Sequence, residues 1–174
     1  MSIYEQAEDL HLFLEQNDIT DKVTLIGHSL GAKVAMAYSL LHPDKVDALC
    51  SIDSPPVDRN EFPEMNIKTL SLVEQVIELV PSIESRSYKE AWAWLRSMLK
   101  LDNKILISSM MMNLDKTSLE KARLLINIEG LAKNLPSIMS FPYIEDHCTS
   151  NLSASNLLFI NGGDSMQIQI ESDI

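Results

Sequence analysis

The residues best suited to chemistry stand together at Gly27-His28-Ser29-Leu30-Gly31. An apolar, β-branched run, Lys22 to Ile26, precedes them, and a strongly helical, apolar stretch, Gly31 to Leu41, follows. A serine flanked by two glycines between a strand and a helix is the layout of a strained turn that exposes a hydroxyl nucleophile. Gly27 and Gly31 are expected because a Cβ at either position would clash as the helix packs back on the strand. The backbone N–H of Leu30, at the start of the helix, is then a donor for an oxyanion. A plain serine N-cap explains a hydroxyl at a helix start, but not the two symmetrically placed glycines.

A serine nucleophile of this kind works with an acid and a histidine. Asp53 and Asp164 each follow an apolar run that reads as a strand, Val46 to Ile52 and Asn156 to Ile160. Both therefore fall at the carboxyl edge, where α/β sheets carry their sites, and both are candidates for the acid. Four histidines are present. His28 lies inside the glycine-flanked turn and reads as a packing residue. His11 reads as a surface residue of the first helix, and His42 as a helix-end residue facing the dipole. His147 lies in a loop ahead of the last strand rather than after it. These histidines and the two cysteines, Cys50 and Cys148, are too scattered for a metal site, so neither metal nor cofactor is expected.

The elements that must position these groups follow from hydrophobic periodicity. Ile3 to Glu15 reads as an amphipathic helix with Ile3, Ala7, Leu10 and Leu14 on one face. Strand Lys22–Ile26, the helix stopped at Pro43, and strand Val46–Ile52 make one right-handed βαβ unit. These strands and Asn156–Ile160 read as buried parallel strands, giving an α/β fold of about three strands with flanking helices. After Ser54-Pro55-Pro56 the pattern becomes helical. Leu70, Val73, Ile77 and Val80 form one stripe, closed by Pro81. Tyr88, Ala91, Trp92, Leu95 and Leu99 form another. A third helix, capped by Asp102, covers Ile105 to Leu114, and a fourth covers Ile128 to Met139. The expected organisation is a core segment over 1–57, a helical insert over 58–150 and a returning strand over 151–174.

At 174 residues the chain fits one domain, and at 45 % hydrophobic residues it can bury a core. A net charge of −11 repels phosphate, which argues against nucleic acid and anionic membranes. No apolar run is long enough to span a bilayer, and the first residues lack the pattern of a secretory signal.

The chain resembles the α/β-hydrolases, and within them the branch of the α/β-hydrolase-domain-containing protein eleven and its bacterial acyl-esterase relatives. The superfamily's nucleophile elbow is matched by Gly27-His28-Ser29-Leu30-Gly31. Lys33 after the elbow, then His42-Pro43-Asp44-Lys45-Val46 and Ile52-Asp53-Ser54-Pro55-Pro56, match the branch. Weaker matches run through Met112-Asn113-Leu114, Asn127-Ile128 and Phe141-Pro142 to Phe159-Ile160-Asn161-Gly162-Gly163-Asp164-Ser165. The resemblance implies a serine hydrolase acting on ester or thioester bonds of acyl substrates through a Ser-Asp-His triad. It makes the 58–150 insert a helical lid, Asp53 the acid, and Ser165 a polar support of the site. Asp164 stands where the branch carries asparagine and other branches carry the acid, so both aspartates stay in play. The family's upstream His-Gly loop and downstream Gly-His segment find no match, so the chain reads as truncated at both ends relative to the family. The catalytic histidine is then expected outside the chain. The alternative is a catalytically inactive product acting as a binding or regulatory module. The resemblance also implies an intracellular protein, mitochondrial or cytoplasmic. It points to a small acyl ester or thioester as ligand and names no protein partner. The stripe containing Trp92, Trp94 and Met110-Met111-Met112 reads as lid core or as the lining of an acyl pocket.

Overall fold

The computed structural model describes residues 2–61, 63–99, 104–141 and 156–163. His147, Cys148, Asp164 and Ser165, and Asp102 as a helix cap, lie outside them. The chain divides into two units, residues 1–63 with 134–174, and residues 64–133.

In the first unit, helix α1 (Ile3–Gln16) starts at a capping box. The Ser2 hydroxyl accepts from the Glu5 N–H while the Glu5 carboxylate accepts from the Ser2 N–H. Strand β1 (Val23–His28) leads through Ser29 into helix α2 (Leu30–Leu41), and a single 3-10 turn at Pro43–Lys45 leads into strand β2 (Val46–Ile52). Strand β3 (Leu157–Ile160) pairs with β2 more than a hundred residues later, so the sheet is β1-β2-β3, all parallel. Pairing of His28 with Ile52, and of Ile52 with Ile160, aligns the carboxyl ends of the three strands.

Two apolar groups hold the unit together. Ile3, Ala7 and Leu14 of α1 pack with Ala37 and Tyr38 of α2 and with Val46. Ala32, Ala35 and Met36, on another side of α2, pack with Leu49 and Phe141. Helix α2 is thus buried on most sides, as its composition requires. The strands differ from expectation. Read as fully buried, β1 and β3 are the edges of the described sheet: Ile26 is 71 % exposed and all of β3 is exposed. An apolar run says that a strand suits burial; which neighbours cover it is a tertiary matter.

The second unit is helical. Helix α3 (Pro63–Glu84) passes through Pro81 rather than stopping there. An interior proline costs a hydrogen bond. The helix nonetheless continues far enough to bring Ile83 into full burial. Val76 and Ile83 are its buried residues; of the expected stripe, Val73 and Val80 pack against this core, whereas Leu70 and Ile77 are exposed. Helix α4 (Tyr88–Met98) opens with a second capping box, Ser87 with Glu90, and buries Ala91 and Leu95 completely. Helix α5 (Lys104–Met112) adds Ile107 and Met110, and helix α6 (Ile128–Met139) leads back to the first unit. Between α5 and α6, the loop is pinned by Asp115, whose carboxylate meets Arg123 at 2.6 Å and accepts from the Thr117 hydroxyl at 2.6 Å.

Candidate functional site

Ser29 follows the last residue of β1 and precedes the first of α2. Its backbone sits at φ 53°, ψ −120°, a left-handed conformation that costs a non-glycine residue about 1–3 kcal/mol and persists only where surroundings enforce it. The enforcing bonds are visible. The Ser29 N–H donates to the Ile52 carbonyl at 3.0 Å, and the Ser29 carbonyl accepts from the N–H groups of Ala32 and Lys33. The hydroxyl makes no capping bond to the helix, so Ser29 is not an ordinary N-cap, which would be extended and would use its oxygen locally.

Gly27 is buried, and a Cβ on it would lie 2.4 Å from the Gly31 carbonyl oxygen and 2.5 Å from the Ala32 Cα. Only glycine lets α2 return so close to β1. The same reason does not hold for Gly31: a Cβ there meets nothing within 4 Å, because this first-turn position is exposed and faces away from the strand. Leu30 is the first residue of α2, so its N–H has no acceptor within the helix.

Asp53 occupies the equivalent place on the neighbouring strand. It too has a positive φ, 55°, and the one other described non-glycine residue of this kind is Asp18, in the turn after α1. The Asp53 N–H donates to the Ile160 carbonyl at 2.7 Å, and its Oδ1 lies 3.4 Å from the Gly162 nitrogen. Below it the buried Ser51 hydroxyl donates to the Ser54 carbonyl at 2.7 Å, closing the turn that carries Asp53. No motif marks Ser51 in the sequence; its one signal is a hydroxyl at an inward position of a strand that, Asp47 aside, is otherwise apolar. Because His28 pairs with Ile52, Ser29 and Asp53 are successive departures from the same sheet edge.

Lys33, one of the residues that carry the family resemblance, is bonded into the elements around the candidate site. It is 4 % exposed, and its Nζ donates to the carbonyls of Met139, Val57 and Ser140 at 2.7, 3.2 and 3.4 Å. Burial, reinforced by the nearby charge of Arg59 and opposed by Asp58, pushes its pKa down to about 8.

The described histidines do not meet Ser29. His28 is exposed rather than packed. His11 is half-buried rather than a free surface residue: its ring stacks on His42 at 4.2 Å, with Tyr38 beside both. His42 caps the far end of α2 and meets Glu8 at 3.0 Å. A helix of 12 residues places that end roughly 18 Å from the Ser29 end. Among the described residues, no group of His, Cys, Asp and Glu is arranged to hold a metal ion, and no helix is long and apolar enough to cross a membrane.

In the helical unit, Tyr88, Trp92, Leu99, Met111, Met112 and Lys116 line an open groove of about 350 Å³. Met110 instead lies in the core, and Trp94 lies under the Arg86 guanidinium.

Residues 1–166 match the family model described as "alpha/beta hydrolase fold". Esterase YbfF of Escherichia coli is 45 % identical over 58 residues, which are 33 % of this chain and 22 % of that protein. The mouse sn-1-specific diacylglycerol lipase ABHD11 is 28 % identical over 164 residues, 94 % of this chain and 50 % of the lipase. Among solved structures, a marine microorganism esterase superposes with a TM-score of 0.73 at 29 % identity, covering 98 % of this chain and 62 % of the esterase. The chain thus spans no more than about half the length of these two curated relatives.

Proposed function

The chain belongs to the α/β-hydrolase fold family, and from that premise we propose that it carries the nucleophile of a serine hydrolase acting on acyl ester or thioester bonds. The observation that carries this reading is Ser29 itself, held at φ 53° at the head of a buried helix with its hydroxyl unused as a cap. In the proposed reaction the Ser29 Oγ attacks the acyl carbonyl carbon, and its proton passes to an imidazole. The carbonyl oxygen becomes an oxyanion that accepts from the Leu30 N–H. The C–O or C–S bond then breaks, the alcohol or thiol leaves with the proton from the imidazole, and water hydrolyses the acyl-enzyme by the same steps in reverse.

We assign the acid to Asp53. Its support is the shared sheet edge with Ser29 and the bonds that hold its turn. Asp164, with Ser165 as polar support, remains the other assignment. The imidazole is to be sought outside the described residues, since His42 and its stacking partner His11 stand at the wrong end of α2. We place it in a part of the fold beyond this chain, with His147 the candidate within it. The helical insert over 58–150 is assigned as a lid on the strength of the resemblance. The names of the relatives support an acyl ester as substrate, and a site inside the cell is carried over from the family alone.

The test is hydrolysis of p-nitrophenyl butyrate by protein of the relatives' length. Ser29→Ala should lower kcat by about 10³-fold or more, and Asp53→Asn by a comparable factor with Ser29 still in place. Full turnover in Ser29→Ala refutes the nucleophile, and loss in Asp164→Asn but not Asp53→Asn moves the acid. The 174-residue chain alone should show no turnover above background, for want of a described base. Turnover that Ser29→Ala abolishes would make His147 the base. A chain of any length whose Ser29 stays inert while it binds acyl esters would favour the binding module.

A further inference from the structure

Lys33 occupies the first turns of α2, four residues after Ser29, and its own N–H donates to the Ser29 carbonyl. Its side chain runs inward to a place where three carbonyls converge from two distant segments. Met139 and Ser140 form the C-terminal end of α6, where the last carbonyls lack intrahelical donors and the dipole is negative. Val57 belongs to the loop that leaves the sheet four residues after Asp53. An ammonium has three N–H donors and no acceptor, so these carbonyls use its full capacity. No described carboxylate lies within ion-pair distance of it. A charge buried among dipoles alone is costly unless those dipoles are held in place. A second bond joins the same two segments: the Asn60 side chain donates to the Pro136 carbonyl at 3.0 Å.

We propose that Lys33 is a positioning residue that caps α6 from outside and, through the same ammonium, fixes the loop following Asp53 relative to the Ser29 turn. One side chain then sets three parts of the site at once. They are the helix that begins at the nucleophile, the loop that follows the acid, and the point where the chain re-enters the sheet unit. The catalytic meaning rests on Asp53 being the acid, but the linkage does not.

The test is amide hydrogen exchange on the full chain, which needs no turnover and so fails or succeeds apart from the assignment of Ser29 and Asp53. Lys33→Met keeps the length of the side chain and removes its donors. It should lower protection in 54–61 and 136–141 together, by about tenfold or more, with β1 and β2 changed far less. Lys33→Arg, which keeps charge and donors, should restore part of that protection. The wild-type chain supplies an arm that needs no variant. As pH rises through about 8 the ammonium discharges. Protection in both segments, corrected for the intrinsic rate, should then fall together, and in Lys33→Arg it should stay level. The charged groups beside it are Asp58 and Arg59. Unchanged protection in Lys33→Met, independent responses of the two segments, or a level wild-type profile between pH 7 and 9.5 would overturn the proposal. Should Lys33→Met fail to fold, the wild-type profile decides.

Discussion

The sheet unit and the helical unit solve the problem of stability in opposite ways. In the helical unit, Ile83, Ala91 and Leu95 are completely buried, α4 is capped by Ser87 and Glu90, and the loop after α5 is tied by an ion pair. Local rules are obeyed nearly everywhere, with the interior proline Pro81 as the departure. The sheet unit breaks local rules at its candidate site. Ser29 and Asp53 hold positive φ angles, the buried Lys33 ammonium has no carboxylate within ion-pair distance among the described residues, and Ile26 of β1 and all of β3 are exposed. Strain concentrated at two adjacent strand ends is what a reactive site requires and what a packing unit avoids.

The contrast can be tested because Trp92 and Trp94, the chain's two tryptophans, both lie in the helical unit. Their fluorescence reports that unit, while exchange of β1 and β2 amides reports the other. The largest effect should come from Gly27→Ala. Its new Cβ meets backbone at 2.4 Å, which nothing flexible can relieve, so a loss of more than about 4 kcal/mol is expected in β1 and β2. The tryptophan transition should move much less; a shared collapse would show the two units to be one cooperative block. Next is Leu95→Ala, which empties a fully buried site and should cost about 2–5 kcal/mol, read by the tryptophans with the strands little changed.

The smallest effect is a pH dependence confined to the helical unit. Asp115 has its pKa lowered from 3.8 to about 2 by the bonds from Thr117, with Arg123 adding to them. A carboxylate depressed in the folded state contributes stability above its unfolded pKa and loses it as pH falls through the folded one. The tryptophan transition should therefore weaken between about pH 4 and pH 2, and Asp115→Asn should flatten that part of the profile. An unchanged profile in Asp115→Asn would assign the acid sensitivity elsewhere.

Much of the fold was legible in the sequence because its cause is local. The Lys22–Ile26 run, the glycine-flanked serine, the apolar helix and Pro43 appear as β1, the Ser29 turn, α2 and its end. Val46–Ile52 and Ile128–Met139 are bounded as periodicity and flanking residues suggest. Failures came where a local signal was outweighed or shared. Proline ordinarily ends a helix, but α3 runs past Pro81 and buries Ile83. Gly27 and Gly31 are equivalent in the sequence pattern, yet of the two only Gly27 faces backbone.

The sequence by itself determined that a serine stands in a strand-to-helix turn with aspartates after two later strands, and that the fold is α/β. These are patterns of neighbouring residues, and neighbours in sequence constrain one another directly. Only the tertiary structure decided that β3 lies beside β2 and that Asp53 follows the same sheet edge as Ser29. It alone brought Lys33 to carbonyls 24, 106 and 107 residues away. Such contacts depend on how separate elements pack, and no local pattern along the chain records which carbonyl a buried ammonium will find.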